Sequence, residues 1–262
     1  MVYDMTIDHP PNIKDGFAAF GQRTVPIDEK EALVRKVFNN VASRYDLMND
    51  LMSGGLHRQW KRKLVSTLLE YPVPELLDLA GGSGDIAISA LQRKQQRRLG
   101  QVTVCDINFE MLKVGQDRAW DRGHLDKLHW MCGNGEQLPF PNAHFDACTL
   151  SFGLRNMTHP KRALAEIYRV LKPGGRLLLL EFTPDVVPAL QHFYELYSQR
   201  IIPVIARQVT KDVEPYTYLV ESIRRFHKSG QITSLLTAQG FAGIRARSLT
   251  AGIASLHSAW RS

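Results

Sequence analysis

The strongest constraint on the fold is an alternation of strand-like and helix-like segments that begins after Pro74. Short apolar runs alternate with amphipathic segments, and polar turns separate them. Such alternation is typical of right-handed βαβ units, so we predict an α/β, Rossmann-like doubly wound, mostly parallel sheet. With 262 residues, 44% of them hydrophobic, the chain is long enough for a single domain of this class. Five strands are predicted directly, at residues 75–79, 101–105, 128–132, 145–150 and 177–182.

Charge and cysteine spacing limit the environment and partners. The formal net charge of +7 admits an anionic partner, either nucleic acid or an anionic lipid surface. Cys105, Cys132 and Cys148 lie far apart, which predicts free, mostly buried thiols in a reducing compartment, with no metal site. The longest aliphatic run, Leu177 to Leu180, is too short to cross a bilayer. We therefore expect a cytoplasmic protein, or one that contacts the inner face of a membrane from one side.

A candidate cofactor site follows the predicted strands, because ligands of open α/β sheets bind beyond the carboxyl ends of the strands. The segment Gly81-Gly82-Ser83-Gly84 follows the first strand, and glycines let the backbone approach a ligand closely. Asp106 follows the second strand, and a carboxylate there can accept both hydroxyl hydrogens of a ribose. Asn134 and Gly135 follow the third strand, and Ser151 follows the fourth. This pattern predicts a cofactor that contains a nucleoside.

These residues alone leave two cofactors open. The spacing Gly82-x-Gly84-x-x-Ala87 also fits the dinucleotide fingerprint of NAD-binding proteins. Small polar residues after the third strand, followed by the turn Lys172-Pro173-Gly174-Gly175 before the fifth, resemble the class I S-adenosylmethionine-dependent methyltransferases. The order of these motifs favours S-adenosylmethionine over NAD.

A closer resemblance comes from the segment before the sheet. Tyr45-Asp46-x-Met48-Asn49, followed by Ser53 and by His57-Arg58-x-Trp60, resembles the ubiquinone/menaquinone biosynthesis C-methyltransferase family. The resemblance runs from about Val37 to His257. It includes Leu77 to Gly82, Asp106-Ile107-Asn108, Leu138-Pro139-Phe140, Ser151 to Asn156, Arg169 to Arg176, Leu180-Glu181-Phe182 and Tyr218-Leu219-x-Glu221-Ser222-Ile223.

The resemblance implies a seven-stranded sheet, N-terminal helices and a lid insertion. It also implies that S-adenosylmethionine contacts Ser83, Asp106, Asn134, Gly135 and Ser151, beside the glycine loop, and leaves as S-adenosylhomocysteine. The implied reaction is C-methylation of a prenylated benzoquinol (2-methoxy-6-polyprenyl-1,4-benzoquinol) or naphthoquinol (demethylmenaquinol), in ubiquinone or menaquinone biosynthesis. The sequence departs from the family pattern at Ser83, where Thr is usual, at Pro215 in place of Ser, and at Lys228 in place of Pro.

The chemistry requires further residues, because a quinol carbon is a poor nucleophile until a ring hydroxyl loses its proton. A phenol titrates near ~10 in water, so the site must lower that barrier. We predict that Arg155 stabilises the phenolate or orients a deprotonating water, and that Asn156 and Tyr45 bind ring oxygens. His57 is a candidate base acting through water. A structural ion pair for Arg155 and a structural hydrogen bond for His57 are the alternatives.

We divide the chain into a loosely ordered segment (1–27) and one methyltransferase domain (28–262). Within the domain, 28–70 is a helical substrate cap, 75–182 the cofactor-binding core, 185–232 a lid or substrate segment, and 233–262 the C-terminal strands. The apolar and basic residues of 188–209 indicate either a core helix, which is the commoner explanation of such a stripe, or a prenyl-tail cover at a membrane surface.

The expected partner is a prenylated quinol, with peripheral membrane contact and a quinone-biosynthesis complex or homodimer as further predictions. No nucleic acid is expected, because an Asn/Asp-Pro-Pro-Tyr motif, a Pro-Cys pair and an RNA-binding domain are all missing. The alternative function is methylation of another small molecule or of RNA.

Overall fold

The computed structural model describes residues 13–14, 16–41, 49–50, 53–93, 98–190, 197 and 214–262. Its first element is a small antiparallel sheet that precedes the helical segment. The three strands are β1 (Ile13–Lys14), β2 (Phe17–Phe20) and β3 (Arg23–Pro26), in that order across the sheet. The expectation that residues 1–27 form a loosely ordered segment is therefore wrong for residues 17–26. Phe20 and Val25 of this sheet pack with Val34 and Val37 and so bury apolar surface that orders the hairpin.

Seven longer helices follow among the described residues. Each has an apolar face that packs on the sheet or on another helix. They are α1 (Ile27–Val41), α2 (His57–Leu68), α3 (Asp85–Leu91), α4 (Phe109–Asp121), α5 (Pro160–Val170), α6 (Glu214–Arg224) and α7 (Ser229–Ala238). Pro160 occupies the first turn of α5, as its sequence predicts, because proline lacks the N–H that would have no partner there.

The central sheet consists of β4 (Val73–Leu79), β5 (Leu99–Asp106), β6 (Leu128–Cys132), β7 (Phe145–Ser151), β8 (Leu171–Phe182), β9 (Phe241–Leu249) and β10 (Ala254–Arg261). Its strand order is β6-β5-β4-β7-β8-β10-β9. The first five strands pair in parallel, whereas β10 is antiparallel to both of its neighbours. The predicted doubly wound, mostly parallel, seven-stranded sheet is confirmed. β8 begins earlier than predicted, at Leu171, and its register against β7 shifts between Phe145 and Ala147.

The two faces of the sheet carry two separate apolar cores. Alternate residues of β8 face opposite sides, so Leu178 and Leu180 lie in one core while Leu177 and Leu179 lie in the other. α2, α3, α4 and α6 contribute to the first core, and α5 and α7 contribute to the second. This double coverage positions the carboxyl ends of the parallel strands at one common edge, where loops can build a site.

Two further sequence expectations concern cysteines and membranes. The three cysteines are free; Cys105 and Cys148 are buried and Cys132 is exposed. Within the described residues, no helix combines the length and apolarity that crossing a bilayer requires.

Arg176 links three elements at the edge opposite the carboxyl ends. Its guanidinium carbon lies 5.0 Å from the Tyr71 ring centroid and 5.2 Å from that of Trp260. Its Nη2 donates to the carbonyls of Thr67 and Leu68 at distances of 2.6 and 2.9 Å. These carbonyls belong to the last turn of α2, which lacks helical partners for them. Arg176 thus joins α2 to β8 and β10.

We expect Arg176→Met to lower the free energy of unfolding by about 2–3 kcal/mol, because two carbonyls lose their donor inside the protein. Urea unfolding monitored by circular dichroism measures the change. Arg245→Met on the exposed face of β9 is the matched control and should stay within about 0.5 kcal/mol of the wild type. Equal effects of the two substitutions would contradict the linking role of Arg176.

Candidate active site

A cleft of about 1080 Å³, including its open mouth, lies at the carboxyl ends of β4, β5 and β7. The loops that follow these strands form its walls, and α1 covers it from above. The predicted cofactor residues Gly81, Gly82, Ser83, Asp106, Asn134, Gly135 and Ser151 all line this cleft. Gly84 lies directly behind them, as the residue that precedes α3. The sheet therefore brings the predicted cofactor residues together.

Asp106 is the central polar group of the cleft. Its Oδ2 accepts the N–H of Gly82 at 2.9 Å, and its Oδ1 accepts the N–H of Asn108 at 2.8 Å. Burial raises the pKa of this carboxyl, and the backbone N–H groups oppose that rise. Gly82 has a φ of +53°, a backbone conformation that suits glycine and turns its N–H toward the carboxylate. Asp106 thus fixes the glycine loop and keeps further lone pairs for a ligand.

A second carboxyl lies under the loop. Asp78 is fully buried and accepts hydrogen bonds from the Thr149 hydroxyl at 2.7 Å and the Ala87 N–H at 3.2 Å. Burial raises the pKa of Asp78 to about 7, although both hydrogen bonds act in the opposite direction. Its role was missed in the sequence, where a charged residue within the apolar run 76–79 was the available signal.

The wall of the cleft beyond β6 and β7 contains both hydrogen-bond donors and hydrogen-bond acceptors. Asn134 Oδ1 accepts the N–H of Glu136 at 2.8 Å, and the Glu136 carboxylate accepts the N–H of Thr158 at 2.6 Å. The Ser151 hydroxyl is buried and has no hydrogen-bond partner among the described residues. A buried hydroxyl without a partner is costly, so this one is suited to a ligand in the cleft.

Helix α1 covers the cleft through contacts that the sequence did not reveal. Glu31 accepts a hydrogen bond from Asn134 Nδ2 at 3.2 Å, and Asn39 Oδ1 accepts one from Asn108 at 2.8 Å. Lys30, only 5% exposed, donates to the carbonyl of Met157 at 2.8 Å. The helical pattern of α1 was visible, but nothing in it indicated which of its polar residues face the sheet.

Arg155 lies in the turn Leu154–Asn156 after β7, but it does not line the cleft directly. Its side chain is fully buried and forms an ion pair with Glu181, with 2.6 Å between Nη1 and Oε1. The same Nη1 donates to the carbonyl of Phe152, which has a strained φ of +58°. The ion pair named as an alternative for Arg155 is therefore present. Its Nε and Nη2 have no partner in the described part of the chain.

The other predicted catalytic residues occupy different surroundings. Asn156 lines the cleft, donates to the Phe152 carbonyl at 3.3 Å and accepts the Tyr218 hydroxyl at 3.1 Å. Tyr218 stacks on Phe20 with ring centroids 4.5 Å apart, so the N-terminal hairpin supports Asn156 through Tyr218. Tyr45 lies outside the described residues, and its role stays a prediction.

His57 does not line the cleft. Its Nδ1 lies 3.0 Å from the hydroxyl of Ser53, and Ser53 in turn accepts the backbone N–H of His57. Burial lowers the pKa of His57 to about 4, and the neighbouring Lys61 contributes. A histidine with this pKa is a weak base toward a phenol. These contacts support the hydrogen-bonded structural role, which the sequence left open beside that of a base acting through water.

The fold and the cleft together define a class of protein. At one side of the sheet, β10 lies between β8 and β9 and is antiparallel to both. A SAM-dependent methyltransferase from Thermotoga maritima matches with a TM-score of 0.61 at 15% identity, covering 87% of this chain and all of that one. One from Aquifex aeolicus matches with a TM-score of 0.50 at 16% identity, covering 76% of this chain and 89% of the other. The protein has the class I methyltransferase fold.

Sequence comparison is more specific. Residues 26–261 match the model of the ubiE/COQ5 methyltransferase family. Ubiquinone/menaquinone biosynthesis C-methyltransferase UbiE of Methylobacterium nodulans is 50% identical over 92% of this chain and 96% of its own length. The UbiE proteins of Dinoroseobacter shibae and Brucella abortus are 47% and 46% identical over 92% and 93% of this chain, and 96% and 90% of their own lengths. The chain belongs to the ubiE/COQ5 methyltransferase family.

Lys30 generates a prediction about stability and pH. Burial lowers its pKa from 10.5 to about 8, while the negative charge of Glu136 partly opposes the shift. The folded state therefore binds fewer protons than the unfolded state between these two values, and stability rises with pH across that window. Below pH 8 the buried positive charge of Lys30 lowers the free energy of unfolding by its full amount. Above pH 10.5 Lys30 is uncharged in both the folded and the unfolded state, and this cost is absent.

We expect Lys30→Met to raise the free energy of unfolding at pH 7 by about 1 kcal/mol or more, and to lose most of that gain by pH 10. Urea unfolding at the two pH values measures it. Lys36→Met, on the exposed side of the same helix, is the matched control and should show no pH-dependent gain. A variant that is less stable than the wild type at pH 7 would refute this assignment.

Proposed function

We propose that this protein binds S-adenosylmethionine in the cleft and methylates a ring carbon of a prenylated quinol. The observation that supports this most directly is the hydrogen bond between the glycine loop and Asp106 within a cleft of about 1080 Å³. Family membership supports the reaction type, and the names of the relatives, which are C-methyltransferases of quinone biosynthesis, support the substrate class.

The residues of the cleft fit the cofactor on their own chemistry. Asp106 uses two backbone N–H groups and keeps lone pairs that can accept ribose hydroxyls. Ser151 has a buried hydroxyl to offer. Gly82 and Gly135 have no side chain that would occupy the cleft. The space around them is narrow, because a Cβ added to either would lie 3.0 Å from the Cε of a methionine. We assign cofactor binding to Gly81, Gly82, Ser83, Gly84, Asp106, Asn134, Gly135 and Ser151.

The rival cofactor and the rival substrates are less well supported. The spacing Gly82-x-Gly84-x-x-Ala87 fits NAD, but a dinucleotide fold with the usual order has an all-parallel sheet, whereas β10 is antiparallel here. The alternative methyl acceptors are RNA, which the basic net charge allows, and other small molecules. The named relatives argue for quinols.

When bound, S-adenosylmethionine supplies an electrophilic methyl group. The acceptor carbon becomes nucleophilic as its ring hydroxyl loses a proton, so the protein must stabilise a phenolate. Arg155 is assigned to this task, because it lies one residue before Asn156, which lines the cleft. Asn156 binds a ring oxygen, and Tyr45 is proposed to bind another. Arg155 acts by charge and hydrogen bonding, and water takes the proton.

The identity of the acceptor and the surroundings of the enzyme are further parts of the proposal. Benzoquinol and naphthoquinol are both proposed as acceptors. The predicted cover over the prenyl tail, residues 188–209, lies mostly outside the described residues. Contact with an anionic membrane surface from the cytoplasmic side and assembly as a homodimer or biosynthetic complex stay predictions that follow from the net charge of +7 and the apolar substrate.

Turnover of labelled S-adenosylmethionine with each quinol tests this function. The protein is incubated with 2-methoxy-6-polyprenyl-1,4-benzoquinol or with demethylmenaquinol, and mass spectrometry of the lipid locates the new methyl group on carbon. We expect at least one quinol to gain a single ring methyl. S-adenosylhomocysteine should raise the melting temperature, whereas NAD should not. Methylation of neither quinol, with intact cofactor binding, would refute the substrate assignment.

Arg155→Ala should lower kcat by about 100-fold or more, because the phenolate loses its cationic donor. The affinity for S-adenosylhomocysteine, measured by calorimetry, should stay within about threefold of the wild type. Arg245→Ala, on the exposed face of β9 away from the cleft, is the control and should leave both quantities unchanged. Equal losses of turnover and of cofactor affinity in Arg155→Ala would show that the residue is only structural.

A further inference from the structure

The pairing of Arg155 leaves one side of its guanidinium group without partners. Nη1 makes two hydrogen bonds, each 2.6 Å long, to Glu181 Oε1 and to the carbonyl of Phe152. Nε and Nη2 are buried and have no hydrogen-bond partner within the described residues. In a guanidinium, Nε–H and one Nη2–H point in the same direction, and together they can donate two parallel hydrogen bonds to oxygen acceptors. We call this side the Nε–Nη2 edge.

Glu181 makes this arrangement possible. It lies near the end of β8, fully buried, between Leu180 and Phe182. Oε1 accepts Nη1 of Arg155 at 2.6 Å and the N–H of Phe182 at 2.9 Å, while Oε2 accepts the backbone N–H of Arg155 at 3.2 Å. Glu181 therefore holds both the backbone and the side chain of Arg155, and its own orientation is fixed by β8.

The guanidinium group of Arg155 lies next to aromatic side chains. The guanidinium carbon of Arg155 is 5.4 Å from the ring centroid of Phe182, and Phe182 packs on Phe152 with centroids 4.6 Å apart. Trp60 packs edge-on against Phe182 at 5.7 Å. Phe152 lines the cleft, so this cluster connects the cleft with Arg155. A planar aromatic acceptor is suited to such a wall.

We infer that Glu181 is a positioning residue: by binding Nη1, it directs the Nε–Nη2 edge of Arg155 to the ring oxygen of the methyl acceptor. The inference rests on the proposed function and adds the residue that sets the geometry of the phenolate contact. A merely structural ion pair would not require the other donors of the guanidinium to remain buried without partners, because each such donor costs stability. Glu181 itself does not touch the acceptor.

The Glu181→Asp variant separates position from charge. It keeps the negative charge but shortens the side chain by one methylene, so the carboxylate no longer reaches Nη1 and the Arg155 N–H together. Two measurements follow: kcat and KM with the quinol, and the pKa of a prenylated nitrophenol bound to the protein. The ionisation of that probe appears in its absorbance spectrum and requires no turnover.

We expect Glu181→Asp to lower kcat about tenfold or more with KM nearly unchanged, because misplaced groups lose catalysis more than binding. The pKa of the bound nitrophenol should rise, since a displaced cation stabilises the phenolate less. In an Arg155→Lys background, which lacks the Nε–Nη2 edge, the same substitution should change neither quantity further. Glu166→Gln, which weakens the Glu166–Arg169 pair away from the cleft, is the matched control and should leave both unchanged.

Equal effects of Glu181→Asp in the two backgrounds, or an unchanged nitrophenol pKa, would overturn the inference. If Glu181→Asp does not fold, Arg155→Lys alone tests the same arrangement, because it keeps the positive charge opposite Glu181 and removes the edge. The nitrophenol pKa should again rise; an unchanged value would again overturn the inference. A wild-type protein that methylates neither quinol refutes the proposed function instead, so the two failures are distinguishable.

Discussion

The site depends on one carboxylate that binds two backbone segments. Asp106 ends β5 and accepts N–H groups from the glycine loop after β4 and from the turn that begins α4. Parallel pairing of β4 with β5 brings these segments together, and the hydrogen bonds fix their orientation. Burial raises the pKa of Asp106, and the backbone N–H groups oppose that rise while they fix the orientation of the carboxyl group.

The remainder of the site is arranged around this point in two halves. The half proposed to bind the cofactor, called the cofactor half, is made of strand ends and loops of the sheet, closed from above by α1 through Glu31, Lys30 and Asn39. The half proposed to bind the acceptor, called the acceptor half, lies at the ends of β7 and β8, where Arg155, Asn156 and Glu181 meet the aromatic cluster. The strained backbone of Phe152 lies between the halves, and its carbonyl binds both Arg155 and Asn156. The backbone conformation of Phe152 thus connects the two halves.

The cofactor half could be predicted from the sequence, because each of its residues directly follows a predicted strand and parallel strands end at one edge. Gly82, Asp106 and Ser151 were found in this way. The acceptor half could be predicted only in part. Arg155 was named, but its partner Glu181 lies 26 positions away and Tyr218 lies 62 positions beyond Asn156, and no local pattern joins them. A charge inside the apolar run 177–182 was the available signal for Glu181.

One other expectation failed for a physical reason. The N-terminal hairpin was missed because its strands are only four residues long and are ordered by packing on α1 and α6, not by local preference. For His57 the sequence left open a base and a hydrogen-bonded structural residue, because its burial could not be judged from a helical pattern; its contacts with Ser53 support the second role.

The most direct test of this account is a crystal structure of the protein with S-adenosylhomocysteine. The account predicts the adenosyl group in the cleft, with both ribose hydroxyls donating to Asp106 and the glycine loop from Gly81 to Gly84 against the ligand. A ligand bound elsewhere, or a structure at saturating concentration in which Asp106 contacts no ligand atom, would contradict the central claim.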